Sequence, residues 1–433
     1  MKRWVCLLLT AVFLTGCGIP QQESLEMRDG EELLQNSAAW LSDRTEQLQK
    51  TAEQITEQNI LSEESSAEEQ EKSEMEYPES DAKLLGAQRD YYAFSCLTAD
   101  EQLLYIDMVQ VLSHMAQDIE VRIPGENMEN QDLSVIGKVF QCVMDDHPEF
   151  FYTDGYTYTR YTEGNAQGRL IRVTFSGRYT MSPAKRIKCE EKIWEYADQA
   201  LSGINSQMSD YEKVKYIYEY IILHTDYNLK AKENQNICSV FLYGESVCQG
   251  YAKAVQYLLQ QVGIKAFLVT GTVKRDEGHA WNLVQIDGDY YYVDATWGDA
   301  SYELNGEKDS YEGMKVPSIL YDYLCVTTEQ LTRTHTIRSI VPMPQCTATQ
   351  ANYYIMEDAY FTGYDRKRIG ALFEKAYARG DEMVTLKCSD STAYEEIKRM
   401  LMDAKEIFSY LKPSGDKVAY TDNYDQLSLS FWL

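Results

Sequence analysis

Apolar positions after Cys248 recur at helical spacing: Tyr251, Ala252, Val255, Leu258, Leu259 and Val262, with Gly263 as a stop. The spacing predicts one helix that begins at Cys248. Two alternating runs follow, His279–Ile286 and Asp289–Thr296, which predict paired strands. Asp287-Gly288 between them is a two-residue hairpin turn. In that register Ile286 faces Asp289, and counting outward sets Asp294 opposite Trp281. Residues two apart on a strand share a face, so His279 and Asp294 project to the same side.

The same reading extends outward in both directions. Thr98-Ala99-Asp100-Glu101 is a capping box that opens a helix to about Ile119. Leu133, Ile136, Phe140 and Val143 line a second helix, ended by Asp146-His147-Pro148, where His147 reads as a cap or turn residue. Phe150–Arg160 and Arg169–Tyr179 alternate like a hairpin. Ser182-Pro183 opens a helix to about Leu201, and Ser209–Glu212 is a second capping box ahead of Val214, Ile217, Tyr218 and Ile221. Beyond Asp299 a polar loop runs to about Pro317, and Tyr321–Leu324 resumes the strand pattern. From Cys346 onward the pattern predicts a strand over Tyr353–Phe361, a helix over Arg366–Ala378 and a strand over Met383–Cys388. A helix over Thr392–Leu411 and a hairpin of Lys417–Tyr420 with Leu427–Leu433 complete it.

Composition changes this picture mainly at the N-terminus. Lys2 and Arg3 precede an apolar run, Trp4–Leu14, too short to span a bilayer and suited to a signal-peptide core. From Gly18 to Leu85 there are 18 acidic and 5 basic residues, a balance of −13 within a total of −27. That charge disfavours nucleic acid as a partner. Low hydrophobicity argues for disorder there, and the heptad Leu34, Leu41, Leu48 and Ile55 offers a helical stalk as the alternative. Either serves as a spacer. The chain divides into residues 1–16, an acidic linker over 17–85, an α+β region over 86–181, a core over 182–345 and a small α/β domain over 346–433.

Chemistry concentrates in the core. A thiol at a helix N-terminus meets unpaired N–H groups and the positive end of the helix dipole, which favour thiolate. A carboxylate beside His279 can hold the imidazole in one tautomer and stabilise its cation, leaving the other ring nitrogen to the thiol. The motifs VCQGYAKA, GHAWNLV and YYYVDATWGD, in that order, resemble the transglutaminase-like superfamily in its bacterial branch. The resemblance implies an α+β fold: a papain-like core with the Cys on a helix packed against an antiparallel sheet carrying His and Asp. It also implies acyl transfer through a thioester, with Cys248, His279 and Asp294 catalytic and Tyr227 as a candidate oxyanion residue. Leu14-Thr15-Gly16-Cys17 resembles a bacterial lipoprotein cleavage box, which implies lipid attachment at Cys17 and a location on the outer face of the cell membrane.

These readings lead to a lipid-anchored enzyme acting on amide bonds of a protein or peptide, wall peptide among the candidates, as a peptidase, an amidase or an amine-transferring enzyme. The alternative is a catalytically silent surface binder or scaffold with the same fold, which the 34 Tyr residues favour. No Cys-x-x-Cys pair, His-rich cluster or EF-hand loop calls for a metal, and no cofactor is expected. His335, Gln249 and Trp281 read as structural. Seven cysteines remain besides Cys6, Cys17 and Cys248, and they read as mostly buried thiols, with Cys238 close enough in sequence to partner Cys248.

Overall fold

The computed structural model describes residues 6–11, 80–163, 168–300, 318–412 and 418–433. The cleavage box at Cys17, the heptad and the polar loop before Pro317 lie outside them. Among the described residues no helix is long and apolar enough to cross a membrane.

The N-terminal region is built on a four-stranded sheet in the order β1-β3-β4-β2. Its strands are β1 (Cys6–Ala11), β2 (Ile119–Val121), β3 (Thr153–Thr162) and β4 (Leu170–Tyr179). Thr98 and Glu101 form the expected capping box, but that helix ends at Ser113 and not near Ile119. Met115 and Asp118 adopt left-handed backbone angles there (φ 51° and 57°) and turn the chain into β2. The helix Ser134–Asp146 ends as expected at His147. Buried His147 hydrogen-bonds Glu149 at 2.7 Å and Gln88 at 3.0 Å, a structural role.

In the central part, Ser182 caps the helix Pro183–Leu201 and a capping box opens Asp210–Leu223, both as expected. Two short parallel strands, β5 (Asp226–Tyr227) and β6 (Glu245–Ser246), then lead to the helix Cys248–Gln261. A five-stranded sheet follows: β7 (Ala266–Thr272), β8 (Gly278–Ile286), β9 (Asp289–Val293), β10 (Leu324–Val326) and β11 (Thr336–Ile337), in the order β10-β9-β8-β7-β11, all neighbours antiparallel. Ile286 pairs with Asp289 across a two-residue turn in which Asp287 and Gly288 have φ 51° and 91°. Positive φ at both central residues is the turn geometry that matches strand twist.

The strand expected to reach Thr296 stops at Val293. The Asp294 carboxylate accepts the N–H groups of Thr296 and Trp297 at 2.9 and 3.1 Å, which turns the chain away from the sheet. Buried apolar side chains from Leu84 to Ala351 form one continuous core, so the N-terminal region and the central part share it.

A separate core spans Tyr354 to Phe431. It packs around a sheet ordered β12-β13-β15-β14: β12 (Tyr360–Phe361), β13 (Met383–Cys388), β14 (Tyr420–Asn423) and β15 (Ser428–Trp432). The strand expected over Tyr353–Phe361 is in fact a helical turn, Tyr353–Met356, followed by the two-residue β12. Asn352 causes this by capping the Tyr354 N–H at 3.1 Å. The helix expected over Thr392–Leu411 breaks after Lys398 into a wider turn and then a short tight one, with Lys405 at φ 59° between them. The overall class is α+β with a helix-on-antiparallel-sheet core, as expected.

Candidate active site

Cys248 is the first residue of its helix. Val247 precedes it in the N-cap position and has no side-chain acceptor to offer the first-turn N–H groups. The turn is seated by close packing at Gly250, where a Cβ would lie 1.9 Å from Ser246 Oγ and 2.7 Å from Ser239 Oγ. Only glycine fits there, which explains the Gly in Cys-Gln-Gly. The helix is fastened to the sheet by Asn282, whose side-chain N–H donates to Ala252 O at 2.9 Å. Behind it, Gln256 donates to Asp145 O at 2.7 Å and so ties the helix to the N-terminal region.

His279 stands on β8, and its Nε2 lies 2.7 Å from Asp294 Oδ2. The register extrapolated from Asn282 opposite Val293 sets Trp281 opposite Asp294, as the hairpin count predicts. Both side chains are buried: the imidazole is 3% exposed and the carboxylate 0%. The Cys248 thiol, which is partly exposed, lies near enough to the His279 ring to favour its protonated form. With Nε2 committed to Asp294, Nδ1 is the nitrogen left for the thiol. The sequence-derived Cys248, His279 and Asp294 are therefore brought together.

The electrostatics follow from this geometry. Burial alone would push His279 down, but the Asp294 charge and hydrogen bond, with the thiol behind them, raise it to about 10. Burial would raise Asp294, but His279 and then His335 outweigh it and hold the carboxyl well below the usual range. A stable imidazolium next to a thiol is the arrangement that supports an ion-paired thiolate.

His335, read from the sequence as structural, lies beside the candidate site. Its Nε2 lies 3.1 Å from the same Asp294 Oδ2, so two imidazoles share one carboxylate oxygen. It is boxed by the rings of Trp281, Trp297 and Tyr323, at 5.0, 4.7 and 5.1 Å between centroids. Burial pushes its pKa down, which keeps it neutral. It reaches Asp294 because β11 lies tightly on β7: a Cβ on Gly271 would stand 2.0 Å from Thr336 O. Nothing local in Thr334-His335-Thr336 announces this contact; the signal is the pairing of Ile337 with Gly271 across the sheet.

Tyr227 pairs with Ser246, two residues before Cys248, and its ring lies 6.3 Å from that of Tyr251. That sets it beside the helix start. Cys238, weighed as a partner for Cys248, hydrogen-bonds Cys189 instead. Among the described residues eight cysteines are free thiols; five of them are buried, Cys189 and Cys248 are intermediate and Cys96 is exposed. His279, Asp294 and His335 could present three ligand atoms to a metal. At 2.7 and 3.1 Å both imidazole nitrogens are hydrogen-bonded directly to the one carboxylate oxygen.

Comparison with known proteins locates this site within a wider group. Residues 198–295 match the family model of the transglutaminase-like superfamily. Human kyphoscoliosis peptidase is 27% identical over 134 residues, 25% of this chain and 20% of that protein. The mouse protein of that name is 24% identical over 147 residues, 28% of this chain and 22% of its own length. The chain thus spans about a fifth of the length of the curated relatives it matches. A solved TGase structure aligns over 33% of this chain and 44% of its own, with 15% identity and a TM-score of 0.24. The periplasmic domain of TgpA from Pseudomonas aeruginosa aligns over 35% and 73%, with 13% identity and a TM-score of 0.22.

Proposed function

This chain belongs, over residues 198–295, to the transglutaminase-like superfamily, and from that premise we propose that it is a cysteine enzyme acting on amide bonds of proteins or peptides. The observation that carries the proposal is the buried His279–Asp294 pair at 2.7 Å, with the Cys248 thiol at a helix start acting on the same imidazole. Cys248 attacks the amide carbonyl, and the C–S bond forms as the oxygen takes the negative charge. First-turn N–H groups, which Val247 leaves without a side-chain cap, would receive that charge. His279 gives its proton to the leaving amine and the C–N bond breaks, leaving a thioester. Water then attacks with His279 as base, the C–S bond breaks, and a carboxylic acid leaves. An amine in place of the water would give transfer. We favour hydrolysis, since none of the described residues of the site marks a pocket for an amine. Lipid attachment at Cys17 and an extracytoplasmic location, with surface proteins or wall peptides as substrates, complete the proposal; cleavage before Cys17 would remove the edge strand β1 and leave β3-β4-β2 as the N-terminal sheet.

The experiment is product analysis on a protein substrate in the presence of a labelled primary amine. Cleavage without amine incorporation, lost in Cys248→Ala, is the expected result. Incorporation would establish transfer. Alkylation of Cys248 no faster than that of free cysteine, with no product of either kind, would leave the chain a binding protein and remove the enzyme reading.

A further inference from the structure

A chain of polar contacts runs from the C-terminal domain to the candidate catalytic carboxylate. Lys387, on β13, is fully buried and donates to Gln426 Oε1 at 3.0 Å and Asp322 Oδ1 at 3.1 Å. Gln426 Nε2 donates to the Tyr323 hydroxyl at 2.8 Å. That hydroxyl lies 2.8 Å from Thr334 Oγ1, and Thr334 Oγ1 lies 2.8 Å from His335 Nδ1. His335 Nε2 completes the path at Asp294 Oδ2.

The two ends decide the direction of every link. A lysine ammonium can only donate and an ionised carboxylate can only accept. Lys387 therefore turns the Gln426 carbonyl toward itself and the amide N–H toward Tyr323. The Tyr323 oxygen is then occupied as an acceptor, and its proton goes to Thr334. Thr334 has one proton to give, and His335 Nδ1 at 2.8 Å is a shorter acceptor than Leu331 O at 3.4 Å. From the other end, Asp294 requires a proton on His335 Nε2. A neutral imidazole protonated there has a bare Nδ1, which is what the Thr334 proton needs. Both directions assign the Thr334 proton to Nδ1, against the Leu331 carbonyl, which also faces the His335 ring and would accept a proton from it.

We infer that the C-terminal domain positions the active site: Lys387 and Gln426 select the Nε2–H tautomer of His335, which in turn holds Asp294 Oδ2 against His279. This makes Gln426, Tyr323, Thr334 and His335 positioning residues, and it rests on the reading of Asp294 and His279 as parts of a cysteine enzyme.

Gln426→Glu tests the inference by reversing the chain. A carboxylate there accepts from both Lys387 and Tyr323, so Tyr323 no longer donates to Thr334. Thr334 then donates to Tyr323 and becomes an acceptor toward Nδ1. In the full chain, with labelled histidine and only five histidines to assign, nitrogen NMR should show His335 protonated at Nε2 alone in the parent. In Gln426→Glu, Nδ1 should gain the proton. A second cation or a lone pair then faces Asp294, and alkylation of Cys248 by iodoacetamide at neutral pH should fall about tenfold, within the range of couplings inside one hydrogen-bond network.

His335→Gln supplies an amide N–H in place of Nε2–H and has no second nitrogen to select. In that background Gln426→Glu should cause no further loss. An unchanged His335 proton pattern in folded Gln426→Glu, an unchanged alkylation rate, or an equal loss in the His335→Gln background would each overturn the inference. If Gln426→Glu does not fold, Thr334→Val cuts the same chain and must slow alkylation in the parent but not in the His335→Gln background. A parent protein that shows the proton switch but no amide turnover counts against the enzyme reading alone, since the NMR signal does not depend on turnover.

Discussion

Asp294 satisfies four donors at once: His279 and His335 on Oδ2, and the Thr296 and Trp297 N–H groups on Oδ1. An ionised carboxylate can accept all four; an amide has one acceptor oxygen and must turn its own N–H groups toward two donors. Asp294→Asn should therefore lower turnover by about three to four orders of magnitude through loss of imidazolium stabilisation and the wrong tautomer. It should also destabilise the fold by about 1–3 kcal/mol, because two buried donors go unpaired. Cys248→Ala should abolish turnover while leaving stability nearly unchanged, since the thiol is partly exposed. Turnover beside urea unfolding for both variants reads the contrast. The two histidines also give stability opposite dependences on pH. His279 stands above its unfolded value of 6.5, at about 10, so its contribution is complete below about pH 6.5 and fades as pH rises toward 10. His335 is shifted down, so its contribution is present above pH 6.5 and is lost on acidification. Between about pH 6.5 and pH 9.5, stability should fall more steeply in the parent than in His279→Gln. Urea midpoints across that window measure it, and equal slopes would contradict the stabilised imidazolium.

At the scale of elements, the site depends on two close approaches that side-chain volume would prevent. One is the start of the Cys248 helix against Ser239 and Ser246, through Gly250; the other is β11 against β7, through Gly271. The second is the more informative, because the obstacle to a Cβ at Gly271 is the Thr336 backbone, which cannot rotate away. Gly271→Ala should push β11 off the sheet and withdraw His335 from Asp294. A cost of about 1–3 kcal/mol is expected from the overpacking, together with slower alkylation of Cys248. A variant as stable and as reactive as the parent would show that β11 can shift without consequence for the site. The Asp287-Gly288 turn acts at the same scale by another means. A two-residue turn sets an even count, and one added residue would send Asp294 to the opposite face.

Across the whole molecule, the two hydrophobic cores meet at a polar seam and not only an apolar one. Lys387 is 0% exposed and bonded to Asp322 and Gln426, while Ser428 also donates to Asp322 at 3.2 Å. Burial pushes the Lys387 ammonium down in pKa and Asp322 pulls it back up. Lys387→Met would leave the partly buried Asp322 carboxylate without its cation, and a cost somewhat below the ~3–5 kcal/mol of a fully buried pair is expected. Thermal unfolding followed separately by tyrosine fluorescence and by Cys248 alkylation would read it. Loss of alkylation should accompany the unfolding of the C-terminal domain, and alkylation that survives it would show that the seam is only adhesive. Such seams specify one docking geometry, because a misplaced domain leaves buried charge unpaired.

What the sequence determined by itself was local. Helix starts at Thr98, Ser182, Ser209 and Cys248 follow from capping residues and periodicity, whose physics acts within a single turn. The register of the β8–β9 hairpin follows from two turn residues and a period of two, so His279 and Asp294 could be set on one face before any tertiary contact was known. Where local signals competed, the apolar pattern misled: Tyr353–Phe361 alternates like a strand, yet Asn352 caps it as a helical turn. The roles of His335 and Gln426 were decided by tertiary structure alone, as was the pairing of Ile337 with Gly271 that carries His335 to the site. The two side chains find their partners 41 and 103 residues away in the chain. A hydrogen bond over that separation leaves no period and no spacing, because it is formed by the packing of sheets and domains and not by the run of the chain.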